Sequence, residues 1–487
     1  MNYKMMGRFL AWILAVEAVF MFPAVGFAIT DGESRVTNAF LITIGIILAM
    51  AGILAILSRR ASTVFFAKEG LFCVGTSWIV MSLLGCLPFC ISGEIPNYID
   101  ALFEMVSGFT TTGASILPQV ETLSRATLYW RSFSHWLGGM GVLVFLLALV
   151  PISGKSDGFT MHLLRAESPG PNVGKLVPKM RQTAMVLYLT YLALTILNFL
   201  FLLFGKMDAF EALCTAFGTA GTGGFGIKND SMMGHSPYIQ NVCTVFMLLF
   251  GVNFGCYYLL LLKQFKSVFR DEELRLYIGI VLGSVVLITL NIFGQTADTM
   301  TWPDALRHAA FQVSTIITTT GFATTDFDLW PAFSKSLLIV LMVIGACAGS
   351  TGGGFKCSRV LLVFKSIRRS IAQILKPQKV QIIRVNKEPV NEKILANTNA
   401  YLCAYVAIVL ISFLLISVDG FSTTTSFTAV LSCFNNIGPG LDLVGPTCNF
   451  SIFSPFSKIV LIINMLAGRL EIFPILVLFS ANTWKRA

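Results

Sequence analysis

Four short polar tetrads constrain this chain more than any other feature: Thr110-Thr111-Thr112-Gly113, Ala220-Gly221-Thr222-Gly223, Thr318-Thr319-Thr320-Gly321 and Asn435-Asn436-Ile437-Gly438. Each lies between two long apolar segments. The first and third also match upstream, Phe103-Glu104-Met105-Val106-Ser107 against Phe311-Gln312-Val313-Ser314-Thr315, with each phenylalanine ten residues before its glycine. Non-helical backbone at membrane depth is tolerated only where it is buried in protein or lines a wet cavity. One such loop could be an ordinary surface connection, but four in register imply a shared interior. The chain reads as four tandem copies of helix, re-entrant loop, helix.

A cation that crosses a bilayer must exchange its water shell for oxygen ligands, and backbone carbonyls supply these without fixed charge. Glycine permits the positive φ that turns carbonyls toward an axis. The tetrads therefore read as an ion filter whose candidate residues are Thr111, Thr112 and Gly113; Gly221, Thr222 and Gly223; Thr319, Thr320 and Gly321; and Asn436, Ile437 and Gly438.

With 55% hydrophobic and 12% charged residues, the fold class is an all-α integral membrane protein. A spanning helix needs about 20 apolar residues. Ten spans are expected, near Phe9–Ile29, Ala39–Leu57, Leu71–Ile91, Phe133–Pro151, Thr183–Phe204, Ile239–Leu262, Leu276–Phe293, Ser336–Phe364, Ala400–Val418 and Ser457–Ser480. They group as an N-terminal two-helix module (1–68) and four repeats (69–155, 176–266, 272–375 and 394–487). Lys4 and Arg8 before an apolar run ending Val25-Gly26-Phe27-Ala28 also resemble a secretory signal, but the run is long and Glu17 interrupts it. If retained, it pairs with the second span.

Lysine and arginine gather in one set of connections, including Arg59, Arg60, Lys68, Lys155, Lys175, Lys263, Lys266, Arg270, Lys365, Arg368, Arg369, Lys376 and Lys387. By the positive-inside rule that face is cytoplasmic, with both termini on it. The net charge of +10 mostly records this bias and does not point to nucleic acid. The opposite connections carry Glu104, Asp208, Glu211, Asp326, Asp328, Asp442 and other carboxylates, expected to form an acidic mouth that concentrates cations. The eleven cysteines form no C-x-x-C or Cys/His cluster and read as small core residues. His135, His162, His235 and His308 form no metal or acid/base motif, and each is read as interfacial. Nothing here suggests an enzyme, and no nucleotide fingerprint is present.

Two features sit on the path below such a filter. The eighth span contains Gly345, Gly349, Gly352, Gly353 and Gly354 before Lys356, and each glycine costs a helix about 1 kcal/mol relative to alanine. Close helix packing is the alternative use of small residues, but three consecutive glycines do not follow a packing face. A break and a flexible internal loop, suited to a gate, are expected. Arg469 lies within an apolar span, where a charge costs about 2.5 to 3.5 kcal/mol unless it is paired or wet. Glu471 is two residues away and faces elsewhere on a helix. A place beside the ion path, where the positive charge opposes cation flow, is therefore expected.

The four loops, Ala348-Gly349-Ser350-Thr351-Gly352-Gly353-Gly354-Phe355-Lys356 and Ala467-Gly468-Arg469-Leu470-Glu471-Ile472-Phe473-Pro474 resemble the Trk/Ktr/HKT superfamily of potassium transporters, most of all its bacterial TrkH/TrkG branch. The resemblance covers nearly the whole chain. It implies a potassium-channel-like fold built from one polypeptide, potassium as the transported ion, residence in lipid of the bacterial inner membrane, a homodimer, and a cytosolic nucleotide-binding regulator of the TrkA kind. By motif position the family's filter glycines fall on Gly113, Gly223, Gly321 and Gly438, its gating loop on Gly345 to Lys356, and its pore-blocking arginine on Arg469. Serine replaces the first of these glycines in sodium-transporting plant relatives, so Gly113 implies potassium. The fourth loop departs from the threonine-rich pattern at Asn435 and Asn436. A secondary cation transporter, a symporter with broken helices at the midplane, is the competing class. It would be expected to carry substrate-binding charges where these loops carry hydroxyls and carbonyls.

Overall fold

The computed structural model describes residues 3–59, 67–141, 180–296, 300–378 and 381–479. The positions expected to be cytoplasmic at Arg60, Lys155 and Lys175, the second half of the fourth expected span, and His162 lie outside the described residues.

Two apolar helices, α1 (Tyr3–Thr30) and α2 (Ser34–Leu57), pack on each other, and α1 also packs on the helices of the first repeat. Four units follow, each a long helix, a shorter buried helix, a polar loop and a second helix. The first unit has α3 (Ala67–Gly85) with its short extension α4 (Leu87–Ser92), then α5 (Tyr98–Phe109) and α6 (Arg125–Met140). In the second are α7 (Met180–Phe204), α8 (Ala209–Gly221), α9 (Pro237–Phe250) and α10 (Phe254–Leu261), followed by the short α11 (Phe265–Arg270). The third holds α12 (Glu272–Thr296), α13 (Trp302–Ile317), α14 (Ala332–Ile344) and α15 (Cys357–Leu375). A hairpin of β1 (Arg384–Val385) and β2 (Glu388–Pro389) leads to the fourth: α16 (Glu392–Ile416), α17 (Thr423–Asn435), α18 (Pro455–Arg469) and α19 (Phe473–Phe479).

The four short helices α5, α8, α13 and α17 have 12, 13, 16 and 13 residues. At 1.5 Å per residue they reach roughly 18 to 24 Å, too short for a hydrocarbon core of about 30 Å. Local sequence starts each of them: the side chains of Asn97, Asp208, Thr301 and Ser422 accept backbone N–H bonds from the first turn. In every unit the short helix packs on both of its neighbours. The second helix of one unit then packs on the short helix of the next: α6 on α8, α9 on α13, α14 on α17, and α18 back on α5. The chain thus closes into a ring.

Six described segments are long and apolar enough to cross a bilayer: Tyr3–Thr30, Ser34–Leu57, Glu69–Ser92, Ala184–Phe204, Glu272–Phe293 and Glu392–Asp419. Three of the expected spans are broken. The sixth bends by 88° between α9 and α10, where Asn253 caps the new helix through Gly255 N–H at 2.8 Å. The eighth is interrupted between α14 and α15, as its glycines predict. The tenth stops at Arg469 and restarts at Phe473, with Glu471 (φ 54°) and Ile472 (φ 65°) in the left-handed region. Hydropathy alone hides the sixth and tenth breaks because the residues at the bends are largely apolar. Along α1, Ile13, Leu14, Ala18 and Met21 are fully buried, and Glu17 is buried with them.

Close approach of α18 to the fourth loop depends on Gly468, where an added methyl group would overlap the Phe434 carbonyl oxygen. Gly279, on α12, has open space around the equivalent point. Gly468→Ala is expected to destabilise the protein by about 1 to 3 kcal/mol through overpacking, while Gly279→Ala leaves stability unchanged or slightly raised. Detergent melting of the two variants measures this contrast.

Candidate functional site

Each short helix ends in a backbone turn of one kind. The chain takes the left-handed conformation at Thr111 (φ 55°), Thr222 (54°), Thr319 (58°) and Asn436 (56°), and again two residues later at Gly113 (78°), Gly224 (76°), Gly321 (93°) and Gly438 (102°). Between them the N–H groups of Thr112, Gly223, Thr320 and Ile437 donate back to the carbonyls of Ser107, Gly218, Thr315 and Ser432 at 2.8, 2.9, 2.8 and 3.0 Å. This common geometry fixes the register. The residue equivalent to Gly113 in the second loop is Gly224, one position beyond the expected Gly223, and Gly221 stands level with Thr110. The consecutive glycines at 223 and 224 hide the offset in the sequence, because either could end the tetrad.

The loops meet one another in cyclic order. A methyl group built on Gly113 would overlap the carbonyl oxygen of Gly223; on Gly224, that of Thr320; on Gly321, that of Ile437; on Gly438 it would lie 2.9 Å from that of Thr112. Each glycine therefore presses against the same carbonyl position in the next loop, and the fourth returns to the first. The hydroxyls of Thr110 and Thr112 share a hydrogen bond of 2.8 Å, and those of Thr318 and Thr320 do the same. In the divergent fourth loop, Asn436 Nδ2 donates to Thr112 Oγ1 and to the Met465 carbonyl, both at 2.9 Å, while Tyr405 and Asn435 bond behind it. The amide thus ties the fourth loop to the first. All four short helices aim their C-termini at this ring, and the partial negative charge of those ends favours a cation there.

On one side the ring opens into a vestibule of about 140 Å³ lined by residues such as Ser115, Phe225, Gly226, Ala323 and Pro439. The charged residues of its lining are Arg131 and Lys228, so the immediate mouth is not the acidic one expected. Glu104 is buried within α5, where its carboxylate takes Arg131 Nε at 2.9 Å and Nη2 at 2.6 Å. Its other oxygen accepts Ile116 N–H at 3.0 Å. Glu211 pairs with Lys228 at 2.9 Å and with His235 at 3.1 Å, and Asp328 lies 3.7 Å from Lys335. Asp442 accepts bonds from Ser422 Oγ (2.5 Å) and Thr425 Oγ1 (2.7 Å), which hold its carboxyl below the usual range and reinforce the start of α17.

The histidine expectation is corrected at His135. It is fully buried behind the ring, with Nδ1 2.8 Å from the Gly108 carbonyl and Nε2 accepting Phe225 N–H at 3.2 Å. That pattern places the proton on Nδ1. One turn earlier on α6, Arg131 lies 4.1 Å over the Phe225 ring. This face of α6 therefore clamps the first two loops, a role that a lone histidine without a motif did not signal. His308 is half-buried and bonds Thr324 Oγ1 at 2.9 Å.

At the other end of the ring lies the segment from Gly345 to Lys356. Gly345, Gly349 and Gly354 take φ of 72°, 71° and 79°. Gly353 N–H donates to Thr319 Oγ1 at 2.7 Å. Methyl groups on Gly352 and Gly353 would run into the Thr318 and Asn435 carbonyls. Lys356 is buried and donates to the Gly352 carbonyl. The segment also docks on the bend between α9 and α10: Cys347 N–H bonds Gly251 O at 3.1 Å, and Phe254 N–H bonds Gly349 O at 3.0 Å. Arg469 reaches the same place. Its guanidinium donates to Thr351 O at 2.9 Å and Gly139 O at 2.7 Å, and also to Gly138 O. It joins this segment to the C-terminal end of α6. Glu471 pairs with Arg359, buried beneath Tyr401.

The TrkH family model, described as a cation transport protein, matches residues 36–486. The "Trk system potassium uptake protein TrkH" of Salmonella typhimurium is 38% identical, with 93% of each chain covered. That of Halomonas elongata is 31% identical over the full length of both. The crystal structure of the potassium transporter TrkH from Vibrio parahaemolyticus superposes over 100% of both chains with a TM-score of 0.88 at 30% identity.

Breaking the buried Arg131–Glu104 pair on one side leaves an uncompensated charge. Arg131→Met is expected to cost about 3 to 5 kcal/mol, and adding Glu104→Gln to recover part of it. Melting of the single and double variants, read as a thermodynamic cycle, tests this.

Proposed function

Because the chain belongs to the TrkH family of cation transport proteins, we propose that it carries potassium across a bacterial inner membrane through the ring of four loops. The closed cycle in which each loop's glycine abuts the next loop's carbonyl supports this reading most directly. A dehydrated cation on that axis is coordinated by carbonyl and threonine oxygens, and four helix C-termini add favourable potential. Gly224 takes the place of Gly223 among the four filter glycines.

The 345–356 segment acts as the gate, since it covers the inner end of the ring and bonds Thr319. Arg469 holds it shut and adds a positive charge to the path. The face carrying Lys263, Lys266, Arg270, Arg368 and Lys376, all exposed, is cytoplasmic and receives a nucleotide-binding regulator. The chain works as a homodimer, as the family resemblance implies.

Two outcomes are expected. Gly113→Ser puts a side chain against Gly223 O at a φ of 78°, so the ring loosens and potassium preference over sodium falls. Competitive rubidium uptake into proteoliposomes measures it, and unchanged preference counts against this loop as filter. Arg469→Ala removes the carbonyl bonds and the charge, so basal rubidium flux rises, with stability lower by about 1.5 to 3 kcal/mol. Reduced flux at that stability sinks the barrier role.

A further inference from the structure

Residues on both sides of the glycine-rich stretch 349–354 converge on one side chain. Glu273, in the first turn of α12 and 4% exposed, accepts the Ala348 N–H at 2.6 Å and the Ser358 N–H at 3.0 Å on the same oxygen, Oε1. The acceptor belongs to a rigid helix, while its two donors flank the glycine-rich stretch. Glu273 thus adds an anchor from α12 to the bonds the segment makes with Thr319, the α9–α10 bend and Arg469.

The residues just before Glu273 are held from outside the ring. Asn386, at the turn of the β1–β2 hairpin, accepts the Glu272 N–H at 2.9 Å and donates through Nδ2 to Asp271 at 2.7 Å. Lys365 of α15 bonds Glu272 and the Arg384 carbonyl, so the hairpin stem is tied to the same point. Asn386 and Lys387 occupy left-handed backbone at φ of 51° and 70°, which makes a tight, stiff turn. Both are exposed. The hairpin thus grips the start of α12 one residue from the carboxylate that pins the segment.

We propose that Glu273 is the latch of the 345–356 segment, and that the exposed hairpin, through Asn386, is the lever that works it. Glu273 is a positioning residue: it touches no ion on the axis but sets where the segment lies beneath Thr319. Displacing the hairpin moves the start of α12, which Asn386 holds, and slackens both bonds at once. The proposal rests on reading the segment as a gate, so its test needs a readout that does not depend on flux.

Cys347 supplies one, because it lies within the segment beside Ala348 and is fully buried. In a full-length background with the exposed Cys403 and Cys448 changed to serine, labelling of Cys347 by a small maleimide is followed by peptide mass spectrometry, with rubidium flux and melting on the same preparations. Glu273→Ala is expected to speed Cys347 labelling by about 5- to 150-fold, the range of ordinary site-to-site coupling. Glu273→Gln, which keeps a carbonyl acceptor, falls between it and the parent, and Asn386→Ala speeds labelling several-fold without touching the segment. Should Cys347 stay protected in folded Glu273→Ala and Glu273→Gln proteins, the latch is wrong. Parent-like labelling in Asn386→Ala removes the lever. Faster labelling with unchanged flux upholds the latch and instead overturns the reading of the segment as a gate.

Discussion

Everything in this fold is arranged around one constraint, that four polar turns meet in a ring with a glycine of each against a carbonyl of the next. The four left-handed turns achieve it. Each carries an ordinary residue at positive φ, then a glycine two positions on, so the intervening carbonyl faces the neighbouring loop. The helices α5, α8, α13 and α17 each end at the ring, and their caps and neighbours hold them there. A side chain at Gly113, Gly224 or Gly321 would overlap a carbonyl of the next loop. The ring and its surrounding helices are therefore one packing problem, solved by cyclic contact from α18 back to α5.

Charge placement follows the same logic. The buried Arg131–Glu104 pair and His135, all on or against α6, fix the first two loops, and Arg131 also lines the vestibule. Arg469 lies at the end of the ring opposite the vestibule and spends its donors on carbonyls of α6 and the glycine-rich segment. Both arginines are thus tied by ion pair or carbonyl bonds to the frame around the four loops.

Much of this was legible in the sequence because the repeat was written in residues with strong local preferences. Thr-Thr-Thr-Gly at two loops and the glycine run at 345–354 announced positive φ and a helix break before any packing was known. What stayed hidden depended on neighbours. The second loop's register was ambiguous because two adjacent glycines satisfy the same pattern. The bends at Gly251–Asn253 and Leu470–Ile472 fall in mostly apolar runs, and the roles of their polar residues, Asn253 as a cap and Glu471 as the partner of Arg359, appear only in the folded chain. Glu104 looked like part of an acidic mouth since it belongs to a short connection between spans, yet its position on one face of α5 buries it. A signal was available there: Glu104 and Arg131 are opposite charges at corresponding depths on two consecutive helices of one unit.

The central claim is that a bare cation is held on the axis by the four loops. Crystals grown in rubidium or thallium salts locate such ions directly by anomalous scattering. The account predicts peaks on the axis between the carbonyls of Thr112, Gly223, Thr320 and Ile437, weakened when sodium replaces most of the heavier ion. Ordered peaks confined to other parts of the protein, with none between those carbonyls, would contradict it.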